Sequence, residues 1–329
     1  MLHNKKILIT GGTGSWGHEL VKQLLPKNPK EIIILSRNEA SQVAMQRQFD
    51  YNNKLTFLIG DIRDKDSLMK ACEGVDYLYH LAALKHVPIC ELQPYEAMKS
   101  NIAGTQNVIE SAIHHKVKKV IYISTDKAAN PSNLYGMTKA IGEKLIIHAN
   151  LLTKHTKFVC VRGGNVLGTN GSVIHVFKNQ IANKGQVGIT DFEMTRFFLT
   201  LEEAISLLFK ATFESVGGEI FVMKMPTCKI TDLAQVLIDS SGKKGVTMVE
   251  LGKRPGEKLH EILLSEYESA TTVYFDSEYF VILPTIEIEG LNEHYAAFEK
   301  VELESYSSEK NLMTKEEIHQ MLVEGGFLT

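Results

Sequence analysis

Apolar runs of about five residues alternate with longer mixed stretches through the first half of the chain. Lys6–Thr10 (K-I-L-I-T), Glu31–Ser36 (E-I-I-I-L-S), Leu55–Ile59, Tyr77–Leu81, Lys118–Ser124 and Lys157–Arg162 are short, rich in Ile, Val and Tyr, and bounded by turn residues. They read as strands. The stretches between them, Ser15–Leu25, Glu39–Tyr51, Lys65–Cys72 and Glu91–Lys116, read as helices, as does the run from Tyr135 to about Leu152. Strands alternating with helices predict an α/β fold, a Rossmann-type doubly wound parallel sheet with right-handed crossovers. Past Arg162 the order loosens. Gly163–Ser172 is a turn-rich loop, His175–Asn183 and Ile230–Ser241 read as helices, and Ile220–Met223 and Val246–Glu250 as strands. Thr200–Ser215 and Thr314–Val323 open with Thr and carry Glu three positions on, a capping-box pattern. The expected division is a dinucleotide-binding domain over residues 1–165 and a smaller C-terminal substrate-binding lobe over 166–329. With no clean linker between them, later segments are expected to fold back onto the first domain.

Composition narrows the possibilities. The chain has 329 residues and a net charge of -3, with 44% hydrophobic and 23% charged residues. No basic footprint points to nucleic acid or an anionic membrane. The four cysteines are scattered, without metal-ligand spacing, and suit reduced thiols in a cytoplasmic protein. No metal site is expected. No run approaches the roughly 18 apolar residues of a membrane span.

The first strand runs into G-G-T-G-S-W-G. Gly11, Gly14 and Gly17 allow a tight turn and close approach of a pyrophosphate to a helix N-terminus, with Thr13, Ser15 and Trp16 between them. The second strand ends in Ser36-Arg37 rather than an acid. A hydroxyl and a guanidinium suit a ribose 2′-phosphate, which favours NADP over NAD. Asp61 and Ile62 follow the third strand, where an adenine ring would lie. Ala82 and Ala83 leave room for a cofactor beyond the fourth, with Lys85 and His86 next. After the fifth strand come Thr125, Asp126 and Lys127, then Tyr135 and Lys139 one helical turn apart. An ammonium beside a phenol stabilises the phenolate, so Lys139 is expected to make Tyr135 a base near neutral pH. All these stretches lie at carboxyl ends of strands, where ligands of such sheets bind.

The glycine turn and Y-x-x-x-K resemble the extended short-chain dehydrogenases/reductases. S-T-D-K-A-A-N-P-S-N-L-Y-G-M-T-K, A-A-L-K-H-V-P, G-N-V-L-G-T-N-G-S-V, M-T-R-F-F-L-T-L-E-E-A and R-P-G-E-K-L-H-E resemble, more narrowly, the UDP-N-acetylglucosamine 4,6-dehydratases. The likeness runs from Lys6 to about Gly325. It departs at Gly163, where relatives commonly carry a tyrosine. The resemblance implies three linked events on UDP-N-acetylglucosamine: oxidation at C4 with Tyr135 as base and Thr125 on the same oxygen, loss of water across C5 and C6, and return of the hydride to C6. NADP would then be catalytic and stay bound, with Lys139 on its ribose. Lys127 is implied as the base at C5 and Asp126 as the acid at C6. Adjacency favours the ionised form of both, and burial under substrate is expected to reverse that. In the second lobe Arg196, Arg254 and Lys258 suit the diphosphate, and Asn165, Thr195 and Glu257 complete the expected pocket. Whether C5 is reprotonated on the same or the opposite face stays open. A homo-oligomer is expected. The rival readings are a 4-epimerase or 4-keto reductase of the same fold, and a non-catalytic NADP-binding regulator.

Overall fold

The computed structural model describes residues 2–169 and 172–328. Asn170 and Gly171, in the turn-rich loop, lie outside them. Six parallel strands open the chain: β1 (Lys6–Thr10), β2 (Glu31–Ser36), β3 (Leu55–Ile59), β4 (Tyr77–His80), β5 (Lys119–Thr125) and β6 (Lys157–Gly163). They lie in the order β3-β2-β1-β4-β5-β6. This is the doubly wound arrangement, whose order reverses between β1 and β4. The inner strands are buried along nearly their whole length, which is why they read as continuous apolar runs.

Two threonines and a histidine lock the switch point. Thr105 Oγ1 donates to the Asn101 carbonyl at 2.7 Å, so it accepts from His80 Nε2 at 3.1 Å. His80 Nδ1 then accepts from Thr10 Oγ1 at 2.7 Å. Burial holds this imidazole down at about 3, so it stays neutral.

The helices between these strands are α1 (Ser15–Leu24), α2 (Glu39–Gln48), α3 (Lys65–Ala71), α4 (Val87–Leu92), α5 (Pro94–Met98), α6 (Gly104–His114) and α7 (Leu134–Ala149). The single helix expected over 91–116 is therefore three helices. Proline opens both α4 and α5, and a π turn over Lys99–Ala103 joins α5 to α6. Pro94 cannot donate to the preceding turn, so the helix breaks at Gln93.

The later half builds two things. β7 (Ile220–Met223) joins β6 in parallel, Tyr279–Ile282 pairs antiparallel with β7, and Thr272–Tyr274 pairs antiparallel with that strand, giving nine strands in all. Helices Val173–Asn183, Ile230–Ser240 and Lys315–Glu324 enclose a second core that includes Phe177, Val187, Phe198, Leu233 and Leu322. Both expected capping boxes are present, at Thr200–Glu203 and Thr314–Glu317. Strands Gln186–Ile189, Thr195–Leu199, Thr227–Lys229 and Ile262–Leu264 were not expected from the pattern. Among the described residues no helix is long and apolar enough to cross a membrane.

Candidate active site

The glycine turn is held by close contacts rather than by side chains. A Cβ on Gly17 would lie 1.9 Å from the Gly12 carbonyl oxygen, so α1 starts flush against the turn only with glycine there. Gly14 caps α1 without a side-chain bond, leaving first-turn N–H groups to face an anion. A Cβ on Gly11 would lie 2.7 Å from the Ala82 Cα, so the turn and the end of β4 meet at the switch point. The Ser124 hydroxyl, at the end of β5, is buried and unpartnered. These features fit a dinucleotide.

At the end of β2, the Ser36 hydroxyl accepts from Gln42 at 3.0 Å, and the exposed Arg37 lies 3.9 Å from Asp61. Arg63 engages both Asp61 oxygens, through its backbone N–H at 2.9 Å and Nε at 2.8 Å. Burial alone would raise the Asp61 pKa, but the Arg63 bonds and the charge of Arg37 hold it below the ordinary value. Ile62 packs against Gly104 on α6 and is buried. Trp16 lies beside Gly163, 3.6 Å from where a Cβ would stand, so its indole borders the space that a tyrosine there would enter.

β5 delivers the reacting groups. Asp126 is fully buried; its Oδ1 accepts from Thr125 Oγ1 at 2.8 Å and from Lys127 Nζ at 3.0 Å, while Oδ2 has no partner. Asn133 caps α7 by accepting from the Gly136 N–H. A Cβ on Gly136 would lie 2.2 Å from the Lys127 carbonyl oxygen, and this close approach seats the start of α7, with Tyr135, against Lys127. Burial pushes the Tyr135 phenol up to about 12, against the pull of Lys127.

Lys139 and Lys127 sit in surroundings that the sequence did not show. Lys139 Nζ lies 3.8 Å above the Tyr122 ring, and burial pushes it down to about 7. The cation acting on Tyr135 is Lys127, because α7 turns the Lys139 side chain inward under β5. Lys127 is under two opposing influences. Burial lowers its pKa, but the charges of Asp126 and of Glu261, 3.5 Å away, outweigh that and leave the amine above its ordinary value.

Glu261 escaped the sequence reading although it closes the R-P-G-E-K-L-H-E block. It is 2% exposed, one of its oxygens has no partner, and Arg196 Nε lies 3.9 Å from the other. Arg196 also lies 3.7 Å from Glu257. Lys258 donates to the Ala129 carbonyl at 2.9 Å, and Ser132 and Asn133 donate to the Gly256 carbonyl. The later block is thus strapped over the Asp126–Asn133 segment. Thr195 does not face this cluster with a free hydroxyl, since its Oγ1 is shared between His260 and Ser308. Arg254, Lys85 and His86 are exposed, and Asn165, half-buried, pairs with Phe198. Asn101 was seen in the sequence only as part of a helix. Its amide bonds both polar groups of Leu84 and the Thr138 hydroxyl, tying the Ala82–Lys85 segment to α7.

Deeper in, Arg162 is 2% exposed and holds two carboxylates at once. It donates to both Glu143 oxygens at 2.8 and 2.6 Å, to both Glu268 oxygens at 2.9 and 2.6 Å, and to the Leu263 carbonyl. Glu143 lies one turn beyond Lys139 on α7.

Residues 7–283 match the family described as "Polysaccharide biosynthesis protein". A UDP-N-acetylglucosamine 4,6-dehydratase (inverting) of Campylobacter jejuni is 44% identical, over 88% of this chain and 85% of its own. A UDP-glucose 4-epimerase of Rickettsia felis is 39% identical, over 98% and 96%. Among solved structures, Pen from Bacillus thuringiensis superposes with a TM-score of 0.91 at 38% identity, over 98% of this chain and 99% of that one.

Proposed function

Because this chain belongs to the polysaccharide biosynthesis protein family, within the extended short-chain dehydrogenases/reductases, we propose that it is a UDP-N-acetylglucosamine 4,6-dehydratase. The observation that carries this is the buried Asp126–Lys127 pair beside Tyr135. A 4-epimerase or 4-keto reductase needs a Tyr and a Lys for hydride chemistry, but has no use for an elimination pair. A bound nicotinamide would supply the acceptor and donor of the hydride. In this reading Tyr135 takes the O4 proton once the positive charges of Lys127 and of an oxidised nicotinamide offset the burial that raises its phenol to about 12. Lys127 then stands against C5, which the new ketone has made acidic. Arg196, expected on the sugar diphosphate, is instead 7% exposed and donates to the carbonyls of Thr195, Leu259 and Lys258, so its guanidinium orders the later block. Incubation with UDP-N-acetylglucosamine followed by proton NMR tests this. A new C6 methyl doublet is the expected product; the galacto epimer alone would overturn the assignment.

The cofactor is NADP in this reading, held at its 2′-phosphate by Ser36 and Arg37. Arg37→Ala should weaken NADP binding by roughly tenfold or more, the worth of one charge-assisted hydrogen bond, and leave NAD binding unchanged. Equal affinity of the unaltered protein for both dinucleotides would refute the NADP preference. The protein acts in the cytoplasm on a soluble sugar nucleotide, and as a homo-oligomer.

A further inference from the structure

Lys127 must be an amine to remove a proton from C5, yet it sits between two carboxylates that hold it as an ammonium. They are not equivalent. Asp126 Oδ1 accepts two hydrogen bonds, from Thr125 and from Lys127 itself, and such bonds favour the ionised form. Glu261 has no comparable support. Its nearest cations, Lys127 Nζ at 3.5 Å and Arg196 Nε at 3.9 Å, stand farther off than the two donors on Asp126, and its other oxygen, like Asp126 Oδ2, is buried without a partner. Its backbone is fixed, since its N–H donates to Ser308 Oγ at 2.9 Å and its carbonyl accepts from the Ser308 N–H at 2.9 Å. A buried carboxylate with little bonding is the one that gains most by becoming neutral when a pocket closes.

We propose that Glu261 is the proton partner of Lys127, taking the proton the ammonium must lose and giving it to the departing C6 hydroxyl. This rests on the dehydratase reading. One N–H bond of Lys127 breaks as an O–H bond forms on Glu261, and two facing charges vanish. The free amine takes the C5 proton and becomes ammonium again. The C5–H electron pair forms the C5–C6 double bond, the C6–O bond breaks, and the Glu261 proton leaves on that oxygen as water. The cluster ends as it began, with one ammonium between two carboxylates. Asp126 holds the amine in line through its 3.0 Å hydrogen bond. The other charges facing the pair are Arg196 and Lys258 from the second lobe, Glu257 across Arg196, and the Tyr135 phenol from α7.

The test is Glu261→Gln, an isosteric change, assayed with UDP-N-acetylglucosamine and NADP in heavy water. The variant should still oxidise C4, seen as reduced-nicotinamide absorbance, while C5 deuterium exchange and methyl formation fall by ~100-fold near neutral pH, the low end of a general acid–base contribution. Raising the pH should restore C5 exchange, because Lys127 can then lose its proton to solvent; a structural role would give a pH-independent deficit. Glu261→Asp, which keeps the carboxyl, should keep part of the exchange and serves if the glutamine variant does not fold. Unchanged exchange and methyl formation in Glu261→Gln, or a loss of C4 oxidation equal to the loss of exchange at every pH, would overturn the assignment. If the unaltered protein forms no C6 methyl, the dehydratase reading falls instead, and that result is visible without any variant.

Discussion

Lys127→Met should bind dinucleotide and still oxidise the sugar at C4, more slowly because Lys127 also pulls on the Tyr135 phenol, and release 4-keto-6-deoxy product about a thousandfold more slowly, within the range of a lost general base. The side chain is nearly isosteric, so the loss isolates the amine. Its removal takes away the ammonium that neighbours both Asp126 and Glu261. Stopped-flow absorbance of the reduced nicotinamide, read beside product NMR, separates oxidation from elimination. A variant that makes methyl product at the unaltered rate would remove Lys127 from the chemistry altogether.

Arg162→Met should cost about 3–5 kcal/mol of stability, the usual price of breaking a buried ion pair by removing one partner. Glu143 is 2% exposed and would be left charged with nothing to hold it. The effect should depend on pH in a defined direction. Burial raises the Glu268 pKa, but Arg162 and the Ser265 bonds reverse this and bring it below its ordinary value. A carboxylate whose folded pKa lies below its unfolded one, about 4.3 for Glu, contributes stability that is full above the unfolded value and is lost as pH falls through the folded one. The variant, lacking Arg162, should show a flatter decline across that window. Urea unfolding from neutral pH downward measures both, and parallel curves for the two proteins would contradict the assignment.

Most of the first six strands were legible because they are buried on both faces and so appear as unbroken apolar runs between turn residues; Leu55–Ile59, at the sheet edge, is only half-buried and was legible from its apolar run alone. The opposite edge of the same sheet was not. Thr272–Tyr274 and Tyr279–Ile282 are only three and four residues long and are recruited by β7 rather than by any periodicity of their own. The site divides in the same way. Asp126 and Lys127 are neighbours in sequence, so their pairing could be read directly. Glu261 reaches the same amine through a strap set by Lys258, Gly256 and Ser308, contacts that no spacing rule encodes. Tyr135 and Lys139 show the limit of a spacing argument. Four residues on a helix share a face, but burial and the Tyr122 ring decide where the ammonium comes to rest.

That strap has a consequence for how such proteins can diversify. The amine and one of its two carboxylates come from separate segments of the chain, and Arg196, which neighbours that carboxylate, belongs with it to the later part. Recombination that transplants a later lobe to acquire a new sugar preference therefore also replaces part of the proton-handling apparatus, so specificity and chemistry in this lineage are inherited as a linked pair.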